Sequence, residues 1–401
     1  MKYNGIWVMP WQLQDEGAEQ VCAAVQDLGI NTISLGVHMA LHRQSAGSQA
    51  AFLYHNPKRK TFVSEDGVIY FTPHEELYGT LKPRKSAEVS DSLKMLVKAS
   101  QNTGVKAEAW LTCFHDPYVL QNYPEASVTD VYGTRERNIL CVNNPESQTF
   151  VLSMVRDILE HYDIFGLELD YVRDNWPGFY LSHVDEITKV AASHCFCPSC
   201  QEKARDWGLD MNVMKTSVSK ILENQIPPYL VRISPYQGLT DSLIEYILDD
   251  EGISQFLQFR RKSVSSFFEK AKSVRDDINP KVVLSADLFP PSFSWKVGQN
   301  FIEISQHVDV IKVKTHYFFN SSSLRLKYVY EHGLARQLAE CDVCAGVLIR
   351  APASPSDITI AIGAAQEAGV QGLYYYCYDA ASEENLDAVK TKTETKIEVG
   401  G

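Results

Sequence analysis

The feature that most constrains the fold is a regular alternation of short β-rich runs with amphipathic helices along the whole chain. A strand, a helix and a further strand in succession predict parallel pairing with a right-handed crossover. Eight such strands favour closure into a (β/α)8 TIM barrel over an open sheet. The predicted strands are residues 5–10, 31–38, 106–114, 166–173, 282–289, 308–316, 343–349 and 372–378.

Two long excursions interrupt this pattern. Residues 40–84, between the second strand and its helix, carry polar turns, and residues 175–250 form a helical insertion after the fourth strand. A barrel with insertions reaches 401 residues as one unit. We therefore expect a single catalytic α/β barrel over residues 1–390, followed by a polar C-terminal tail over residues 391–401.

The charge pattern narrows the classes of partner. The net charge is −12 and no basic run is present, so neither nucleic acid nor an anionic membrane is expected as a partner. Neutral substrates fit this balance best, with a local basic pocket as the alternative. No apolar stretch is long enough to span a membrane, and the N-terminus does not resemble a signal peptide, which predicts a cytoplasmic protein. The sequence does not indicate an oligomeric state.

Two carboxylates lie on neighbouring predicted strands. Asp170 and Asp287 lie toward the C-terminal ends of the fourth and fifth predicted strands, where barrel active sites are found. Glycoside hydrolysis uses such a pair, with one group as nucleophile or charge stabiliser and the other as general acid/base. We assign the first role to Asp170 and the second to Asp287, because the apolar residues 288–291 should raise the pKa of Asp287. The alternative is a structural salt bridge from Asp170 to Arg173 or Lys314.

Other polar and aromatic residues near the strand ends are candidates for binding substrate. Glu168 shares a strand face with Asp170, and a buried glutamate there needs Lys312 or Lys314 as a partner. Aromatic faces suit sugar rings, although barrel core is the alternative. The predicted substrate-binding residues are Trp11, His38, Trp110, His115, Glu168, Arg173, Lys314, His316 and Tyr376.

The histidines near the strand ends, His38, His115 and His316, raise the alternative of a metal-dependent hydrolase. No two of them share a ligand spacing, and no His-x-His follows the first strand. We therefore expect catalysis to require no cofactor.

The chain has nine cysteines, and most stand singly in apolar runs, as buried free thiols do. The exception is the run 194–200, in which Cys197 and Cys200 have zinc-knuckle spacing and Cys195 or His194 offers a third ligand. This run is a candidate structural zinc site, and free thiols are the alternative.

Several motifs resemble those of uncharacterised glycoside-hydrolase-like (β/α)8-barrel families, which are distantly similar to α-amylase-type barrels. The resemblance covers most of the predicted barrel, and its most specific part is Phe-Gly-Leu-Glu-Leu-Asp-Tyr-Val-Arg at 165–173. The other matching runs are 5–8 (Gly-Ile-Trp-Val), 31–33 (Asn-Thr-Ile), 123–125 (Tyr-Pro-Glu), Gly133, 143–145 (Asn-Asn-Pro) and 195–200 (Cys-Phe-Cys-Pro-Ser-Cys).

The resemblance implies a barrel glycosidase in which Asp170 is the catalytic or substrate-anchoring carboxylate. Amylase-type barrels have an aspartate nucleophile on the fourth strand and a glutamate acid/base on the fifth. Here Asp287 stands on the fifth strand, and Glu168 replaces the arginine of the amylase fourth-strand motif.

Three hypotheses follow from the sequence. The leading one is an O-glycosyl hydrolase of carbohydrate metabolism that acts on an oligosaccharide or glycoside through Asp170 and Asp287. The second is a sugar-binding barrel without catalysis, which needs only one carboxylate and aromatic residues. The third is the metal-dependent hydrolase.

Overall fold

Eight parallel strands close into a barrel. The structure is a computed structural model that describes residues 1–39, 57–61, 63–174, 186–193, 195–223, 249–315 and 323–399. Each barrel strand pairs with its neighbour in the chain, and the first pairs in parallel with both the second and the last, which closes the sheet. The barrel strands are β1 (Tyr3–Val8), β2 (Thr32–Met39), β3 (Lys106–Thr112), β4 (Gly166–Asp170), β5 (Val283–Leu288), β6 (Val310–Val313), β7 (Asp342–Leu348) and β8 (Gly372–Tyr376).

Helices surround the barrel in the described part of the chain. They are Pro10–Glu16, Ala18–Asp27, Ser92–Thr103, Pro117–Asn122, Pro145–His161, Glu186–Ala192, Pro198–Asp206, Met211–Glu223, Glu251–Ile278, Pro291–Ser294, Phe301–Ser305, Leu324–Leu338, Pro355–Glu367 and Glu383–Val399. Their starts follow local chemistry. Asn144 caps Pro145–His161 by accepting from the Ser147 amide, and Ser354 caps Pro355–Glu367 in a capping box with Asp357.

Alternation along the strands separates the core into an outer and an inner part. On β4, Leu167 and Leu169 pack into the large apolar core under the helices, while Glu168 bonds to Trp7 of β1 across the barrel interior. Successive side chains of a strand face opposite sides, so residues two apart share the interior. Gly5 is needed there, because a Cβ atom at this position would lie 2.3 Å from Cε1 of Tyr374.

A smaller apolar core, which we call the second core, lies beside the barrel between the segment after β3 and the residues that follow β4. It combines an antiparallel pair of strands, Ser127–Thr129 with Arg135–Leu140, and helices that follow β4. Phe256 and Phe259 of the helix Glu251–Ile278 are fully buried in it, together with Phe196. This second core attaches the segment after β3 to the insertion after β4.

The prediction of a (β/α)8 barrel is confirmed, and every predicted strand is found. Most strands end earlier than predicted, as β4 does at Asp170 and β6 at Val313, whereas β2 runs one residue beyond its predicted end, to Met39. In the excursion 40–84, residues 40–56 and 62 lie outside the described residues, and Val68–Ile69 adds a short antiparallel strand to β2. The helix Glu383–Val399 runs through most of the segment predicted as a tail. No described helix combines the length and the apolar character needed to cross a membrane.

Candidate functional site

Three charged side chains form an ion cluster in the middle of the barrel. Lys312 Nζ of β6 lies 2.7 Å from a Glu108 oxygen and 2.6 Å from a Glu168 oxygen, and all three residues are buried. Trp7 and Ser34 donate hydrogen bonds to Glu168, and Ser285 donates to Glu108. We call Glu108, Glu168 and Lys312 the inner cluster.

Burial and charge oppose each other in the inner cluster. Burial raises the pKa of Glu168, and the Lys312 ammonium opposes that rise. Burial alone would lower the pKa of Lys312, but the two carboxylates outweigh it and the net shift is upward. The ring of Tyr374 adds a cation–π contact, with Lys312 Nζ 3.6 Å from the ring centroid. Of the two predicted partners of Glu168, the structure selects Lys312.

A second cluster lies two residues further along β4 and β6, and its third member comes from β5. Lys314 forms an ion pair with Asp170 Oδ1, and its Nζ lies 3.3 Å from Asp287 Oδ2. Because one ammonium contacts both groups, these two oxygens are at most about 6 Å apart, within the range of glycosidase carboxylate pairs. We call Asp170, Asp287 and Lys314 the outer cluster. The structure thus brings together the two carboxylates that the sequence selected.

Asp170 is held by two further donors. Trp110 Nε1 lies 3.1 Å from Asp170 Oδ2, and the amide of Tyr171 donates to Asp170 Oδ1 at 2.6 Å. Tyr171 has φ of +58°, which is uncommon for a residue other than glycine and is typical of functional sites. Its ring lies parallel to that of His115, with centroids 5.2 Å apart.

Asp287 is less well satisfied. Its Oδ1 atom is buried and accepts no hydrogen bond within the described residues. Burial raises the pKa of Asp287 well above its usual range, while Lys314 opposes the rise and the charge of Asp170 adds to it. A carboxyl group with a raised pKa keeps its proton and can donate it, which is what a general acid requires.

Two partly exposed arginines lie at the rim of the strand ends. The guanidinium carbon of Arg173 lies 4.4 Å from the ring centroid of Tyr171 and 5.1 Å from that of Phe289. Arg350, just after β7, has its guanidinium carbon 5.4 Å from the ring centroid of Tyr376. The ring of Tyr376 also contacts Trp110, with centroids 6.4 Å apart.

Two other predicted site residues, His38 and Trp11, have their described partners outside the outer cluster. The ring of His38 is buried and bonds to the Thr112 carbonyl oxygen and, at 3.1 Å, to Asp116. Trp11 is only 1% exposed, and Arg59 covers its ring. His316 lies outside the described residues. Neither His38 nor His115 belongs to a group of three ligand-type side chains within 4.8 Å in the described chain.

Four cysteine sulfurs converge in the second core. Cys141, Cys195, Cys197 and Cys200 are buried, and their sulfurs all lie within 4.8 Å of one another. Cys141 Sγ is 3.5 Å from the sulfurs of both Cys197 and Cys200, and all nine cysteines are free of disulfides. Four thiolates around zinc, with Zn–S bonds of about 2.3 Å, stand about 3.8 Å apart. The cluster could therefore hold a metal ion.

Two residues of these sites, Cys141 and Glu108, were not predicted from the sequence. Cys141 stands 54 positions before Cys195 and shares no short spacing with the predicted ligands, so only the fold reveals it. Glu108 alternates with Trp110 and Thr112 on β3, and this period of two would have placed it inside the barrel. His194, the other predicted third ligand, lies outside the described residues.

Comparison with known proteins agrees with the barrel architecture. No family model matches the sequence, and no curated protein matches it. Among solved structures, the glycoside hydrolase domain of PgaB (BpsB) from Bordetella bronchiseptica is similar at a TM-score of 0.63 and 12% identity, covering 97% of this chain and 98% of that one.

Other similar structures are also glycoside hydrolases. The GH42 β-galactosidase Gan42B from G. stearothermophilus has a TM-score of 0.61 and 14% identity over 98% of this chain and 56% of that one. The catalytic domain of β-amylase from Paenibacillus polymyxa has a TM-score of 0.58 and 10% identity over 98% of each chain. The chain therefore has the (β/α)8 barrel fold found in these glycoside hydrolases, as the sequence resemblance implied.

Proposed function

We propose that this protein is a glycosidase that cleaves an oligosaccharide or glycoside through Asp170 and Asp287. The observation that carries the proposal is the outer cluster, where the two carboxylates meet at one ammonium at the C-terminal ends of β4, β5 and β6. Barrel enzymes place their chemistry at this face of the fold. Fold similarity alone assigns no activity, so the proposal rests on these residues.

The two carboxylates have different environments, and this difference assigns their roles. Asp170 contacts the Lys314 ammonium and receives hydrogen bonds from Trp110 and Tyr171, all of which favour an anion. An anion here attacks or stabilises the developing positive charge at the anomeric carbon. Asp287, whose pKa is raised by burial, donates its proton to the departing glycosidic oxygen.

Hydrolysis of aryl glycosides with graded leaving groups tests this assignment. Asp287→Asn should slow cleavage of poor leaving groups by about 10²–10⁴-fold, the usual contribution of general acid catalysis, and slow activated nitrophenyl glycosides far less. Asp206→Asn, which changes an exposed helical aspartate, should leave all rates unchanged. Equal losses for all leaving groups would remove Asp287 from the acid role. Sugar binding with no cleavage of any glycoside would favour a non-catalytic sugar-binding barrel.

We further propose that the cysteine cluster is a structural zinc site. Cys141 follows the strand Arg135–Leu140, and the other three cysteines lie at the start of the helix Pro198–Asp206, so a bound ion would join the segment after β3 to the insertion after β4. The Thr129 amide and the Asn143 side chain donate hydrogen bonds to the sulfurs of Cys195 and Cys200, as is common around metal thiolates.

Metal analysis of the purified protein tests the zinc proposal. We expect about one zinc per chain, lost in Cys141→Ser and retained in Cys341→Ser, whose thiol lies outside the cluster. The loss should lower the melting temperature, because a structural metal stabilises only the folded state. Metal-free protein of unchanged stability, or a disulfide within the cluster, would contradict the proposal.

A further inference from the structure

The side chains that directly follow the barrel strands at their C-terminal ends form the rim of the candidate active site. This rim differs in charge from the protein as a whole. The chain has a net charge of −12, yet β4, β6 and β7 each lead into a cationic side chain: Arg173, Lys314 and Arg350. Lys314 is held by Asp170 and Asp287. The two arginines contact no carboxylate within the described residues, and they stand at the two ends of the arc formed by β4 to β7.

Aromatic rings hold the guanidinium of Arg173 in place, but few of its N–H groups donate hydrogen bonds to described residues. Its guanidinium lies over the rings of Tyr171 and Phe289, and its one hydrogen bond to a described residue, the Asp174 carbonyl oxygen, is 3.4 Å long. Its Nε atom is buried without an acceptor in the described part of the chain. A guanidinium carries five N–H donors, so most of the hydrogen-bonding capacity of Arg173 is available to a ligand.

Arg350 shows the same combination on the opposite side of the arc. It stacks on Tyr376, and its Nε is likewise buried with no acceptor among the described residues. A nearby carboxyl, Asp379, interacts electrostatically with Arg350, but burial raises the pKa of Asp379 and so weakens it as a counter-charge.

Buried nitrogens without an acceptor among the described residues also occur on Arg84 and Arg260, but those guanidiniums make short hydrogen bonds through another nitrogen, as Arg84 does to the Asp66 carbonyl oxygen at 2.7 Å. Arg260 lies 2.6 Å from Asp174, and Arg275 lies 2.6 Å from both Asp276 and Asp309. A buried donor without an acceptor is unfavourable, because it has lost its water without gaining a partner. At Arg173 and Arg350 the unsatisfied Nε is accompanied by no short hydrogen bond to a described residue, so acceptors supplied by a ligand would complete both guanidiniums. An arginine fixed on an aromatic face is suited to bidentate binding of a planar or tetrahedral anion.

We infer that the substrate is an acidic glycan, whose carboxylate, sulfate or phosphate substituents are bound by Arg173 and Arg350. The inference builds on the proposed glycosidase function and names its substrate class. It replaces the expectation from net charge that the substrate is neutral. Because the arginines flank Asp170 and Asp287, acidic groups on sugars to either side of the cleaved bond would each meet one guanidinium.

Calorimetric binding of simple sugars tests the inference without requiring turnover. The acidic probes are D-glucuronate, D-galacturonate, glucose 6-sulfate and glucose 6-phosphate, and the neutral references are D-glucose and D-galactose. At least one acidic probe should bind about 10-fold or more tightly than its neutral counterpart, and added salt should weaken that preference. Which acidic probe binds best identifies the anion. Equal binding of acidic and neutral sugars, or no binding of any acidic probe, would overturn the inference.

Substitutions of the two arginines test whether these residues cause the preference for acidic sugars. Arg173→Gln and Arg350→Gln should each weaken binding of the preferred acidic probe by about 10-fold while leaving the neutral sugar unchanged, and Arg350→Lys should recover part of the loss because it restores the charge but not the planar fork. Arg325→Gln is the matched control, since Arg325 is exposed and paired with Glu367 on the adjacent helix. Unchanged preference in both rim variants would refute the assignment.

Different results would refute the glycosidase function and the acidic substrate. Acidic sugars that bind through the arginines, with no glycoside cleaved, would refute the glycosidase function and keep the acidic ligand. Rapid cleavage of neutral glycosides, with no gain for their uronoside counterparts, would do the reverse. If a variant misfolds, the preference of the wild-type protein and its salt dependence still decide the question.

Discussion

The inner and outer clusters each combine two carboxylates and one lysine. Both draw residues from β4 and from β6 or its end, two positions apart, whereas the third member comes from β3 in the inner cluster and from β5 in the outer one. In the inner cluster, Glu168 and Glu108 each receive a hydrogen bond from a neutral side chain besides the Lys312 contact. In the outer cluster, Asp287 keeps a buried oxygen without a donor among the described residues. A satisfied buried ion cluster contributes to specifying the fold, whereas an unsatisfied one at the strand ends retains capacity for chemistry.

The largest expected effect is on turnover, which should depend on the outer cluster and not on the inner one. Asp170→Asn should reduce glycoside turnover by at least about 10³-fold, because it removes the charge that faces the reacting carbon. Glu168→Gln, the matched change one layer deeper, should alter turnover by less than about 10-fold. Circular dichroism and melting curves should show that both variants fold. Near-normal turnover in Asp170→Asn would remove the outer cluster from catalysis and make Glu168 or Asp379 the next candidate.

The reverse separation is expected for stability. Lys312→Met leaves two buried carboxylates without their cation. It should lower the free energy of unfolding by about 3–5 kcal/mol, as loss of one partner of a buried ion pair does. Lys314→Met should lower it by only about 1–2 kcal/mol, because Asp287 can stay protonated and Asp170 keeps two neutral donors. Urea denaturation measures both. A larger loss for Lys314→Met would show that the outer cluster is the structural one.

The pH dependence should report Asp287. Because burial raises its pKa, the general acid is protonated at low pH, and kcat should fall as pH rises through that raised value. The stability contribution of the protonated group has the same sign: it is present below the unfolded-state pKa and lost as pH rises through the folded one.

Lys314 opposes the rise in the Asp287 pKa, so Lys314→Met should move the titration of Asp287 to still higher pH. Carbon-13 NMR of the aspartate carboxyl groups measures this without requiring activity. Lys312→Met should move the Asp287 titration less, since Lys312 is the last of the five contributions to that pKa. A shift to lower pH in Lys314→Met would contradict the assigned electrostatics.

The smallest effects come from single hydrogen bonds. Ser285→Ala removes a donor to Glu108 and should lower the free energy of unfolding by about 1 kcal/mol with no change in kcat. Trp110→Phe removes a donor to Asp170, with a similar effect on stability but about a 10-fold loss in kcat. Equal kinetic effects of the two changes would erase the functional distinction between the clusters.

The sequence by itself determined the barrel, its eight strands and the two carboxylates at the ends of β4 and β5. Strand periodicity and parallel crossovers are local rules, and they place the carboxyl ends of all strands at one face. That was enough to bring Asp170 and Asp287 together as expected, because they stand on adjacent strands with a fixed register.

Only the tertiary structure decided which partner each of these groups meets. Lys312 and Lys314 were equivalent candidates for Glu168 until the stagger between strands placed Lys312 in its layer and Lys314 beside Asp170. Cys141 joins Cys195, Cys197 and Cys200 because the segment after β3 packs against the insertion after β4. Such contacts depend on strand stagger and chain crossings between distant segments, and no local pattern of residues records either.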